Sequence, residues 1–225
     1  MSGFPNKPRI LRGAFVEYGI SLPPLFVVFQ FNPIQLTRNR SLTHAPPSGG
    51  PDSLRDFHKI SDDLAEIRDE QIVTVQEETI GFEIRLDASD KLNEGDTITE
   101  QFGISPQLST LELMVHPKDE SLIGQALGSL LGSPGGFSFT RKPNPPLVLF
   151  IWGRKRVLPV NINSLNITET LYSADLNPTQ ATVSVSLTVI EGRSSPYMYS
   201  KARKEAMSEL NLTNITDIAN VVIPG

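Results

Sequence analysis

The stretch LNPTQATVSVSLTVIEG, residues 176–192, decides the fold. From position 181 onward Ala181, Val183, Val185, Leu187 and Val189 alternate with Thr182, Ser184, Ser186 and Thr188. Successive strand side chains point to opposite faces, so a period of two with β-branched residues predicts a half-buried strand. Burying the five apolar side chains is worth about 5–12 kcal/mol against an extended chain, enough to fix the strand's register. The other face is unusual. A solvent-facing strand commonly carries Lys, Glu or Arg, and here every position carries a small neutral hydroxyl. Thr182, Ser184, Ser186 and Thr188 are therefore the candidate functional residues.

Outward from that strand, the chain reads as a series of hairpins. PLVLFIWG (146–153) and RVLPVNINSLNITETLYS (156–173) precede it as strands, with LNPTQ as the last turn and Pro178 fixing the bend. Near the start, RILRGAFVEYG (9–19) and LFVVFQFNP (25–33) read as strands, Phe29 and Phe31 sharing a face and Asn32-Pro33 closing the run. IVTVQEETIGFEIRLDA (72–88) reads as one long strand in which Ile80, Phe82, Ile84 and Leu86 alternate with Gly81, Glu83, Arg85 and Asp87. No helix falls between strands at βαβ spacing. The expected fold is mainly β, an antiparallel sandwich or half-barrel with one central helix and a short C-terminal helical tail.

That central helix is SPQLSTLELMVHP, with Ser105 as N-cap, Pro106 at the first helical position and Leu108, Leu111 and Val115 as its apolar stripe. Two insertions, 41–71 and 118–145, interrupt a domain expected to run from 1 to 192. The first opens on a Pro/Gly/Ser loop, and Leu54, Phe57, Leu64 and Ile67 follow a loose helical spacing after a cap at Asp52 or Ser53. The second is mostly linker, with Gly124, Gly128 and Gly132 at a four-residue interval that suits a flexible or partner-contacting segment. Residues 193–225 form the tail, where Ser195 caps and Pro196 opens a helix.

Composition narrows the function. The chain has 225 residues, 39% hydrophobic and 20% charged, with a net charge of -5, and that balance argues against a nucleic-acid protein, which needs a dense basic face. Arg154, Lys155 and Arg156 read as a solvated hairpin turn. The absence of cysteine excludes disulfides, thiol catalysis and cysteine-ligated metals. MSGFPNKPRI carries no apolar secretory run and no stretch is long enough to span a bilayer, so synthesis and assembly in a cytoplasm are expected, without direct membrane contact.

Signatures of chemistry are missing. His44, His58 and His116 lie apart, none at helical spacing from another metal ligand. No nucleophile elbow, phosphate loop or dinucleotide fingerprint occurs. The acid pairs Asp62-Asp63 and Glu77-Glu78 read as solvated charge, and DASDKLNEGD (87–96), which lacks the rhythm of a calcium loop, as a flexible acidic loop. The expectation is a building block: no enzyme, no metal, no cofactor.

VFQFNPIQLTRNR, IGFEIRLDASD, GISPQLSTLELMVHP, PPLVLFIWG and VLPVNINSLNITETLYSADLNPTQATVSVSLTVI, in this order, resemble the tube-type baseplate adaptor family of contractile injection systems, the hubs of phage-tail-like particles, which often carry a C-terminal LysM module. The resemblance covers most of 9–191. It implies a β domain of the tail-tube type, six copies of which close through their sheet edges into a ring around a lumen. Such closure satisfies edge strands without open-ended aggregation. It also implies partners: a tube or tube-initiator protein, a spike, and sheath-adaptor and wedge proteins, within a particle released from the cell or anchored in its envelope. A bore through which cargo slides needs a wetted, non-adhesive wall, and Thr182, Ser184, Ser186 and Thr188 suit it.

The tail departs from the family. No LysM opening follows Gly192, and ITDIANVVIPG only faintly matches the end of such a module, so it is degenerate or absent and peptidoglycan binding is not expected. Three alternatives stand beside the adaptor: an inner tube or tube-initiator ring, of which the tube protein would be stacked in many copies; from another class, a peptidoglycan-binding or hydrolytic tail module; and a stand-alone secreted effector carrier.

Overall fold

The structure is a computed structural model and describes residues 11–19, 24–60, 62–117, 144–154 and 156–213. The strand at the centre of the sequence argument, β9 (Pro178–Val189), pairs antiparallel on both sides, with β8 (Arg156–Tyr172) and with β6 (Thr79–Asp87). The β6–β9 ladder runs in one unbroken register from Thr79↔Thr188 to Asp87↔Gln180. It sets Ile80, Phe82, Ile84 and Leu86 across from Leu187, Val185, Val183 and Ala181, so the two alternating patterns share one apolar face.

β1 (Gly13–Glu17), β2 (Phe26–Val28), β3 (Leu36–Asn39) and β7 (Val148–Trp152) complete a seven-stranded half-barrel in the order β2-β1-β7-β8-β9-β6-β3. Four phenylalanines, Phe15, Phe29, Phe82 and Phe150, pack around one another on its apolar face, the Phe15–Phe29 rings edge to face at 5.2 Å. The fold is mainly antiparallel β, as the hairpin order predicts.

Strand β8 carries a device that the sequence encodes. Its inward residues are Leu158, Val160 and Ile162 and then, after a change of parity, Leu165 and Ile167. The register slips between Ile162 and Ser164, and the extra residue is Asn163, whose Nδ2 donates to Thr188 Oγ1 at 2.7 Å. A bulge of one residue restores the apolar face after the slip.

The helix expected at 105–117 is present as α5 (Ser105–Leu113), and Ile104, Leu108, Leu111 and Met114 enter the core. Ser105 is not its cap. The cap position is Ile104, without a side-chain bond, and its N–H is taken instead by Pro178 O at 2.8 Å, which ties the helix to the start of β9. Val115 lies beyond the helix end, and Met114 is buried in its place.

Several boundaries differ from the sequence reading. The run 72–88 is two strands: β6 belongs to the half-barrel, whereas β5 (Ile72–Val75) pairs with β4 (Leu42–Ala45) in a separate ribbon. Between them lie α1 (Leu54–Ile60) and α2 (Leu64–Glu70), so the first insertion is an arm that leaves the sheet after β3 and returns before β6. Within the arm, Ser53 Oγ accepts from Asp56 N and Asp63 Oδ1 from Ala65 N, so Asp63 caps a helix. The run 25–33 is strand only over β2. The chain leaves the sheet at Phe29, which is buried while Phe31 is exposed. The amide of Asn32 stands in for the missing partner, accepting from Gly13 N at 2.9 Å and donating to Leu11 O at 2.8 Å.

The acidic run 87–96 is structured. Asp87 accepts from Ser89 N ahead of α3 (Ser89–Asn93), and Asp96 takes the N–H and hydroxyl of Thr99 ahead of α4 (Thr97–Phe102). Asp96 is the N-cap of α4, whereas Asp87 stands one residue ahead of the α3 cap position, Ala88. The C-terminal helix α6 (Ser195–Leu210) packs against β8 through Tyr197 and the buried Ser200, with Ser194, not Ser195, at its cap position. Gly124, Gly128, Gly132 and the segment ITDIANVVIPG lie outside the described residues.

Candidate functional site

Because β9 is central in the half-barrel and its odd-numbered residues fill the core, Thr182, Ser184, Ser186 and Thr188 stand on the opposite face. Each is half-buried. What flanks them is polar on both sides. From β6 come Thr79, Gly81, Glu83, Arg85 and Asp87, and from β8 Asn161, Ser164, Asn166 and Thr168. At one flank Phe31, Pro33 and Ile34 share a groove with Gly81 and Ser184. The hydroxyl surface thus extends across three strands, with Thr37 of β3 added opposite Gly81.

The face is partly self-satisfied. Ser184 Oγ donates weakly to Glu83 Oε1 at 3.4 Å, Thr188 accepts from Asn163, and Gln180 Nε2 donates to Asp87 Oδ2 at 3.0 Å while its own carbonyl groups accept from Thr170. A charged row, Glu83, Arg85 and Asp87, runs beside the hydroxyls along β6. Its signs alternate, so the row adds little net charge. Hydrogen bonds from Ser89 and Gln180 hold Asp87 below the usual carboxylate range. Along one flank, residues 30–35 overhang a groove that reaches Gly81, Glu83 and Ser184, and Gln30 Oε1 accepts from Asp87 N at 2.9 Å. Such a surface can hold water and present shallow hydrogen bonding.

A second feature lies at the end of the sheet where β6 begins. Glu78 is 3% exposed and is met by Arg38 from β3, Arg40 just after β3, and Lys204 from α6, the last at 2.9 Å. Glu191 continues the network by pairing with Arg40 and accepting from Glu78 N at 3.3 Å. Burial pushes the Glu78 carboxyl up, but hydrogen bonds from Arg38 and Lys204 outweigh it and bring the group down to about 2. Glu78 is therefore no solvated charge, contrary to the reading of the Glu77-Glu78 pair, while Glu77 is exposed. Arg156 also departs from the expected solvated turn. It is half-buried, and desolvation together with the neighbouring Arg38 and Arg203 lowers its pKa.

Sequence reasoning passed over this cluster because its members lie far apart: Arg38, Glu78, Arg156, Glu191 and Lys204 come from five separate segments. One signal was available. Arg38 occupies an inward position on β3, opposite Ile80, where an apolar residue belongs unless an acid awaits it. The histidines remain apart. His44 lies in β4, His58 in α1, and His116 Nδ1 is 2.8 Å from Glu112 O. Among the described residues no group of three or more metal-ligating side chains occurs, and no helix is long and apolar enough to cross a membrane.

What these features define is a mainly antiparallel β half-barrel with one polar and one apolar face. No protein-family model matches the chain, and no curated protein matches it.

Proposed function

We propose that the chain is a structural baseplate adaptor of a contractile injection system, a ring-forming subunit that joins the inner tube to the central spike or hub and meets sheath-adaptor or wedge proteins. The observation that carries this reading is the two-faced sheet: across β8, β9 and β6, an apolar core face and, opposite it, a face of Thr, Ser, Asn and Gly flanked by sign-alternating charges. A wall past which cargo slides must be wetted and bind it only weakly, and a composition of small neutral side chains supports that. Edge strands β2 and β3, each with one side unpaired among the described residues, support ring closure, since unpaired strand edges seek partners and cyclic symmetry satisfies them in a finite body.

Electron cryomicroscopy of particles assembled with this chain tests the proposal. Density for a single sixfold ring at the tube–spike junction, with Ser184 and Ser186 on the bore, is the expected result. A stack of many copies would assign the chain to the tube instead, and its absence from the particle would remove the reading.

A further inference from the structure

We propose that the basic pocket between β3 and α6 is a docking site for an acidic peptide segment of a partner protein. The opening is lined by Arg38, Arg40, Lys201 and Lys204, with Tyr197 at its wall. Arg156 and Arg203 stand close behind. Three carboxylates answer these six cations, Glu78, Glu191 and Glu205, which leaves a local excess of three positive charges in a chain whose net charge is -5. Two further observations say that the acids already present do not satisfy the cluster. The Nε of Arg203 is buried and has no hydrogen-bond acceptor among the described residues. Desolvation and the like charges of Arg38 and Arg203 act against the charged form of Arg156, and the opposing pull of Glu78 does not offset them.

Guanidinium forks recognise carboxylates and phosphates alike. The layout here favours carboxylates spaced along a chain. Glu78 and Glu205 both line the opening, so a compact phosphate carrying two charges would sit against them. A peptide can place its acids on Arg38, Lys201 and the flank of α6 while passing over the carboxylates. Lys201 is exposed and forms no ion pair among the described residues, which makes it the readable cation. The inference does not depend on ring formation, because every group belongs to one subunit.

The test is fluorescence anisotropy with the full chain and a labelled decapeptide of alternating Asp and Glu, beside the same peptide with Asn and Gln. Saturable micromolar binding of the acidic peptide at low salt, none of the neutral one, and about a tenfold loss with Lys201→Glu are expected. Circular dichroism would establish that the variant is folded, as the exposed position of Lys201 leads one to expect. Equal binding to wild type and K201E, or no binding of the acidic peptide to the folded wild type, would overturn the proposal. Displacement of the peptide by sub-millimolar inorganic phosphate would also overturn it, in favour of a small-anion site.

Discussion

At the residue scale, two positions have requirements that no neighbour can relax. Gly103 ends α4 at φ 59° and ψ -130°, and a Cβ there would fall well inside contact distance of the Pro178 carbonyl. That carbonyl is already committed to Ile104 N, so backbone would have to shift in two elements at once. Gly103→Ala is expected to cost about 2–4 kcal/mol, read as a lowered urea midpoint with an unchanged slope. Glu78 has a requirement of another kind. With its folded pKa near 2 and a value of 4.5 for an ordinary glutamate, its ionisation stabilises the fold fully above pH 4.5, and that contribution is lost as pH falls toward 2. Glu78→Gln leaves Arg38, Arg40 and Lys204 facing a neutral group and should destabilise by about 2–4 kcal/mol at pH 7. The gap between variant and wild type should narrow steadily between pH 4.5 and 2. A gap independent of pH would mean that Glu78 acts through packing and not through charge.

At the scale of elements, the arm made of β4, α1, α2 and β5 is attached where β3 and β6 are already paired, with Asn39 opposite Thr79. Among its described residues only Phe57 is buried, while Leu42, Ile60, Leu64, Ile72, Val73 and Val75 are all exposed. The half-barrel therefore gains little from the arm. Replacing 42–75 by a short Asn-Gly link, with Arg40 and Glu78 kept, is expected to leave the melting temperature within a few degrees and the far-ultraviolet spectrum of a β protein. A collapse of folding would mean that the arm nucleates the β3–β6 hairpin. This element also marks the limit of legibility. The alternation Ile80-Phe82-Ile84-Leu86 and its mirror on β9 are visible because period two is a local property of the chain. The break at 76–78 is not visible, since Ile72, Val73 and Val75 have strand propensity whichever sheet receives them. Likewise Asp87 and Asp96 resemble a loose acidic loop in sequence, and only their bonds to Ser89 and Thr99 show that Asp96 caps α4 and that Asp87 holds the turn before α3. The hydroxyl face of β9 was legible from four residues; the Glu78 cluster required the whole topology.

At the scale of the molecule, the two faces of β9 make opposite demands, and adjacent substitutions can separate them. Leu187 is fully buried among the core residues, so Leu187→Ser removes apolar contact, leaves a cavity and buries a hydroxyl. A loss of about 3–5 kcal/mol and poor soluble yield are expected. One residue away, Ser186 lies on the polar face opposite Gly81 and Ser164. The pair Ser184→Leu with Ser186→Leu adds β-propensity without entering the core, so the isolated subunit should unfold within roughly 0.5 kcal/mol of wild type. The consequence would fall on the assembly. If this face lines a bore, two leucines per subunit convert a wetted wall into apolar bands repeated around the ring, to which an extended cargo chain adheres. Particles carrying the double variant should form in normal number and contract normally, yet release cargo more slowly than wild type, measured by protease protection of the cargo after triggered contraction. Unchanged release from intact particles would place Ser184 and Ser186 away from the cargo path. The hydroxyl face would then be ordinary solvent-facing sheet.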